Sequence, residues 1–112
     1  MDSPHQLADP RKAMETAVIA VLRTIYDPEI PVNIYDLGLI YGLQVDPASG
    51  QVDIRMTLTA PGCPVAHTFP GKVAETVGQL ADVQVVEVEL VWQPAWSKQM
   101  MSEAARLELG LV

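Results

Sequence analysis

Residues 51–59 read QVDIRMTLT and alternate without a break. Val52, Ile54, Met56 and Leu58 share one face, and Asp53, Arg55, Thr57 and Thr59 share the other. A period of two with one apolar face predicts a half-buried strand. Immediately upstream, Pro47, Ala48, Ser49 and Gly50 are turn formers. Before them, residues 38–46 (GLIYGLQVD) are again strand-like. Two such runs joined by a short turn predict an antiparallel hairpin. A third strand is expected over 83–92 (VQVVEVELVW), with Val86, Val88, Leu90 and Trp92 facing one way and Glu87 and Glu89 the other.

The flanks of these strands are helical in pattern. Asp9 and Pro10 read as an N-cap and a first-turn proline. Met14, Val18, Val21, Leu22 and Ile25 follow at helical spacing, which predicts a helix over 10–26. Asp27-Pro28 ends it, because a residue before proline is pushed out of the α region. Val65, Phe69, Val73, Val77 and Leu80 mark a second helix, whose regular part is expected to start near Pro70. In the tail, Ser102 suits an N-cap, Glu103 the positive end of a helix, and Gly110 its close. The order α-β-β-α-β-α predicts an α+β fold: one small domain over 10–112 after a flexible N-terminus (1–9), with helices packed on a three-stranded, mainly antiparallel or mixed sheet.

Bulk composition narrows the function classes. Hydrophobic residues make up 49% of the 112, enough for a core, while aromatics at 5% leave that core to aliphatic side chains. Seven basic residues against fourteen acidic ones give a net charge of −7. That balance argues against nucleic acid and anionic membranes as partners. No apolar run approaches the roughly 18 residues of a membrane span. The N-terminus lacks a signal-peptide pattern, and one cysteine cannot form an intrachain disulfide. A cytoplasmic protein is expected.

The single cysteine, Cys63, lies in the turn TAPGCPVA (59–66). Pro64 suits a first helical position, which would make Cys63 an N-cap. Unpaired N–H groups and the helix dipole there favour a thiolate, the form that attacks and binds metals. Gly62 would let the backbone bend and leave the sulfur accessible. The plain alternative is a small buried hydrophobe. His67 stands one helical turn beyond Cys63 and is either its helper or a surface residue; His5 is more remote. Without a Cys-x-x-Cys pair, dithiol exchange within one chain is excluded.

Two further groups stand out. The loop DPEIPVNIYDL (27–37) gathers Asp27, Glu29 and Asp36, which either cap turns or line a pocket near Cys63 that Thr59 could also reach. The segment VWQPAWS (91–97) holds Trp92 and Trp96. Trp92 continues the apolar face of the third strand. Trp96, with Met100 and Met101, is either core or an apolar contact surface for a partner.

Taken together and in order, DPEIPVNIYDLGLIY, MTLTAPGCPVA and VWQPAWSKQMMSEAARLELG resemble the SufT-like family of iron–sulfur cluster assembly proteins, bacterial relatives of the eukaryotic cytosolic iron–sulfur targeting factor. The resemblance spans about residues 10–112. It implies a compact α+β fold and an accessory, non-enzymatic role in cluster assembly, transfer or client maturation. It places the family cysteine at Cys63, the acidic loop at Asp27, Glu29 and Asp36, and the strand-end threonine at Thr59. A phenylacetate-degradation branch carries additional C-terminal cysteines, which this chain lacks. Gln93 and Ala95 depart from the acid and proline common in the family tail.

The partners implied are SUF-type scaffolds or carriers and client apo-proteins, with Trp96, Met100, Met101 and Glu103 as the contact surface. The implied cofactor is an iron–sulfur cluster, transient and shared between subunits, with Cys63 as a metal ligand. Clusters are usually held by four thiolates, and one chain offers one. A homodimer would offer two. The rival readings are a thiol enzyme with Cys63 as nucleophile, and an interaction module without metal chemistry.

Overall fold

The computed structural model describes residues 9–59 and 68–110. Its elements are α1 (Pro10–Leu22), β1 (Ile40–Asp46), β2 (Gln51–Met56), α2 (Phe69–Val77), β3 (Val85–Leu90) and α3 (Glu103–Glu108), with a 3-10 turn at Lys98–Met100 before α3. The strand order is β1-β2-β3. β1 and β2 form the antiparallel hairpin, with Leu43 opposite Ile54 and Val45 opposite Val52. β3 lies parallel to β2, with Ile54 opposite Val88. The sheet is therefore mixed, and the α-β-β-α-β-α order is as expected.

Helices cover one face of the sheet. Met14, Val18 and Leu22 from α1 and Phe69, Val73 and Val77 from α2 meet Val52, Ile54 and Met56 of β2 in the core. Burying each such aliphatic side chain contributes about 1.5–3 kcal/mol. Loop residues Val32, Ile34, Leu37 and Leu39 are as deeply buried as the helical ones. Among the described residues no helix is long and apolar enough to cross a membrane.

The caps follow the sequence. Asp9 Oδ1 accepts the Lys12 N–H at 3.1 Å at the start of α1. Ser102 Oγ accepts the Ala105 N–H at 3.1 Å at the start of α3, and Gly110 follows that helix with φ 74°.

Several boundaries differ from expectation. α1 stops at Leu22, not at Tyr26. The reason is a competing set of bonds: the Ile34 N–H donates to Ile25 O (2.8 Å), the Asp27 N–H to Val32 O (3.2 Å), and Tyr26 bridges Asn33. β-branched and aromatic residues at 24–26 favour that extended pairing over another helical turn. β1 starts at Ile40 because Gly38 forms a turn with φ 82°. β2 ends at Met56, and Thr57 is fully buried instead of facing solvent with Arg55. α2 begins at Phe69 with Thr68 as N-cap, so Cys63 does not cap this helix and the dipole argument for its thiolate does not apply to α2. Residues 60–67, with Gly62, Cys63 and His67, lie outside the described residues, as do 1–8.

Candidate functional site

Strand directions bring three remote segments to one end of the sheet. β2 runs toward Met56, which faces Ile40 at the start of β1 and Leu90 at the end of β3. Hence the acidic loop entering β1, the segment leaving β2 toward Cys63, and the tail leaving β3 all emerge together. A groove of about 750 Å³ lies elsewhere: the start of α1, the β1–β2 turn and residues 80–84 line it at the opposite end.

The three loop acids have different tasks. Asp27 is buried, and its Oδ2 accepts the N–H groups of Glu29 and Ile30, both at 2.8 Å. This is a turn-forming carboxylate. Asp36 accepts from Asn33 Nδ2 at 2.9 Å and lies 3.8 Å from Arg23 Nε, while its main-chain N–H donates back to Asn33 Oδ1 at 2.9 Å. The Arg23 guanidinium also stacks over Tyr35, 4.9 Å from the ring centroid. Glu29 is the exposed acid, and its Oε1 accepts from Thr59 Oγ1 at 3.4 Å.

That contact crosses from the acidic loop to the strand end that leads, four residues later, to Cys63. Of the expected pocket, Glu29 and Thr59 are therefore brought together, whereas Asp27 is tied within its own loop and Asp36 to Asn33 and Arg23. Among the described residues, no three His, Cys, Asp or Glu side chains group as a metal site. Glu29 is an exposed, ligand-capable carboxylate on the described side.

The tail straps this loop down. Trp96 Nε1 donates to Leu37 O at 2.7 Å. The Ser102 N–H donates to Asp36 O at 2.8 Å. The Tyr41 hydroxyl donates to Pro94 O at 2.8 Å, with Met100 Sδ 3.3 Å away. Partial burial pushes the Tyr41 phenol up from its ordinary value. Met101 is 6% exposed and belongs to the core, so it is not part of a contact surface. Trp92 and Trp96 pack against the core while half-buried, Met100 is half-buried, and Glu103 is exposed.

Sequence reasoning missed Arg23, Asn33, Tyr41 and Thr57. Thr57 is fully buried, and among the described residues its Oγ1 has no hydrogen-bond partner. The Asn33–Asp36 spacing is a local signal for a side-chain-supported turn. The other three rest on contacts between remote segments.

The chain matches the family model described as iron-sulfur cluster assembly protein over residues 15–90. It is 50% identical over 98 residues to an Fe-S protein maturation auxiliary factor of Porphyromonas gingivalis, covering 88% of this chain and 92% of that one. It is 38% identical over 87 residues to the Fe-S protein maturation auxiliary factor SufT of Staphylococcus aureus, covering 78% and 98%. The crystal structure of a DUF59 domain of unknown function from Bacillus anthracis superposes with a TM-score of 0.83 at 36% identity, covering 94% and 99%. With the family model, these relatives and the shared fold in agreement, the chain belongs to the SufT-like family of iron–sulfur cluster assembly proteins.

Proposed function

We propose that this protein is an accessory factor in iron–sulfur cluster assembly, transfer or client maturation, and that it works without catalysing a reaction of its own. Family membership supports the process. The observation that supports the site is the long Thr59–Glu29 hydrogen bond (3.4 Å), which joins the exposed Glu29 carboxylate to the segment that leads from β2 toward Cys63. In this reading Cys63 supplies the one thiolate the chain has, and Glu29 is the adjacent hard ligand or base. One thiolate does not complete the usual set of four. The cluster is thus transient cargo, with its remaining ligands coming from a second copy, a SUF-type scaffold or carrier, or the client apo-protein. Sparse ligation suits release. Gly62 and His67 act as supporting residues around Cys63, and Trp96, Met100 and Glu103 as the partner-facing tail.

Anaerobic mixing with a cluster-loaded scaffold protein tests this. Cluster absorbance in the visible range should appear on the wild type, vanish with Cys63→Ser, and be retained but less long-lived with Glu29→Gln. Equal loading of Cys63→Ser and wild type would remove the thiol from the account.

A further inference from the structure

Among the described residues, the outer edge of β3 is an unpaired strand edge. The N–H groups of Val85 and Val91 point inward, to Gly50 O at 3.2 Å and Met56 O at 2.8 Å. By the two-residue period, the N–H and C=O groups of Val86, Val88 and Leu90 point away from β2, and no strand lies beyond them among the described residues. The other edge, β1, is blunted by a register irregularity between Ile40 and Gly42. β3 lacks that irregularity: VVEVEL contains no proline, glycine, lysine or bulge, and its charges, Glu87 and Glu89, both lie on the open face.

The two faces of this edge differ in chemistry. Val86, Val88 and Leu90 pack against the core but remain half-buried, whereas Val52, Ile54 and Met56 on the same face of β2 are 0–2% exposed. The apolar layer therefore runs out to the edge only partly covered. On the open face Glu87 and Glu89 are exposed. They border a groove of about 620 Å³ that Asp53 also lines and over which Gly42 raises no side chain. The cation lining it, Arg55, lies 3.8 Å from Glu89 in an exposed pair that contributes little.

We propose that this edge accepts an extended segment of a protein partner, added as a fourth strand, whose side chains alternate between apolar and basic. Main-chain groups of Val86, Val88 and Leu90 supply the pairing. The segment's apolar residues continue the Val86–Val88–Leu90 layer. Its Lys or Arg residues lie beside Glu87 and Glu89, the longer ones reaching Asp53 across the groove. Charge argues against a second copy as the occupant. Antiparallel self-pairing through the outward main-chain groups, with Val86 opposite Leu90, sets Glu87 of one copy opposite Glu89 of the other, and like charges directly opposite are destabilising.

The probe is a synthetic peptide of about ten residues alternating Val and Lys, compared with a scrambled peptide of the same composition. Calorimetry and amide hydrogen exchange on the full chain read the outcome. The alternating peptide should bind and slow exchange at Val86, Val88 and Leu90 by about tenfold or more, leaving the already paired Val85 and Glu87 amides unchanged. The double variant Glu87→Lys, Glu89→Lys alters exposed side chains only, so its fold is retained, which circular dichroism checks. It should bind the peptide about tenfold or more weakly and prefer an alternating Val–Glu peptide. Equal binding of the scrambled peptide, unprotected amides at 86, 88 and 90, or no effect of charge reversal would overturn the proposal. A dimer of the free chain with those three amides already protected would assign the edge to a second copy and overturn it as well.

Discussion

Gly38 shows how closely the acidic loop and the tail are fitted. Its φ is 82°, and an added Cβ would fall 2.2 Å from Met100 O, a main-chain atom. Gly38→Ala therefore meets both backbone strain and a clash, and should destabilise the fold by about 2 kcal/mol or more in urea denaturation. Thr57 predicts the opposite sign. Its buried hydroxyl lacks a partner among the described residues, so Thr57→Val removes a desolvation cost and should stabilise by about 1 kcal/mol. A clear loss of stability would mean that the hydroxyl is satisfied. Tyr41 gives a pH signature. Burial raises its folded-state value, so its contribution is fully present below the unfolded value of about 10 and is lost as pH rises beyond it. Against Tyr41→Phe, the wild type should lose relative stability only above about pH 10, read by denaturation at a series of pH values.

At the scale of elements, the tail is a strap. Trp96→Phe keeps most of the apolar packing but removes the bond to Leu37 O, and should cost about 1 kcal/mol. Limited proteolysis within 91–102 should then quicken, while cleavage elsewhere is unchanged. The strands and caps were legible in the sequence because their signals are local. QVDIRMTLT carries its own period, and Asp9 and Ser102 bond three residues ahead. The strap was not legible. Tyr41 meets Pro94 across 53 positions and Trp96 meets Leu37 across 59, and no periodicity encodes such partners. For the same reason the early end of α1 was hidden: the bond from Ile34 to Ile25 competes with the helix. Within the site, the acidic loop was legible as a group. The division of labour that leaves Glu29 as the exposed acid was not, since it depends on where Arg23, Asn33 and Thr59 lie in space.

For the whole molecule, parallel alignment of β2 and β3 is what gathers loop, strand end and tail at one end. The net charge of −7 then opposes close approach of two copies. If two copies share a cluster, the apo chain should sediment as a monomer at low salt. Dimer should appear only on loading and increase as salt screens the repulsion. The central claim is that Cys63 handles cluster cargo with help from Glu29. The most direct measurement is anaerobic transfer of a cluster from a loaded scaffold protein to an apo client enzyme, following client activity. The account predicts that wild-type chain accelerates transfer, Glu29→Gln accelerates it less, and Cys63→Ser does not accelerate it. Undiminished transfer with Cys63→Ser would contradict the account.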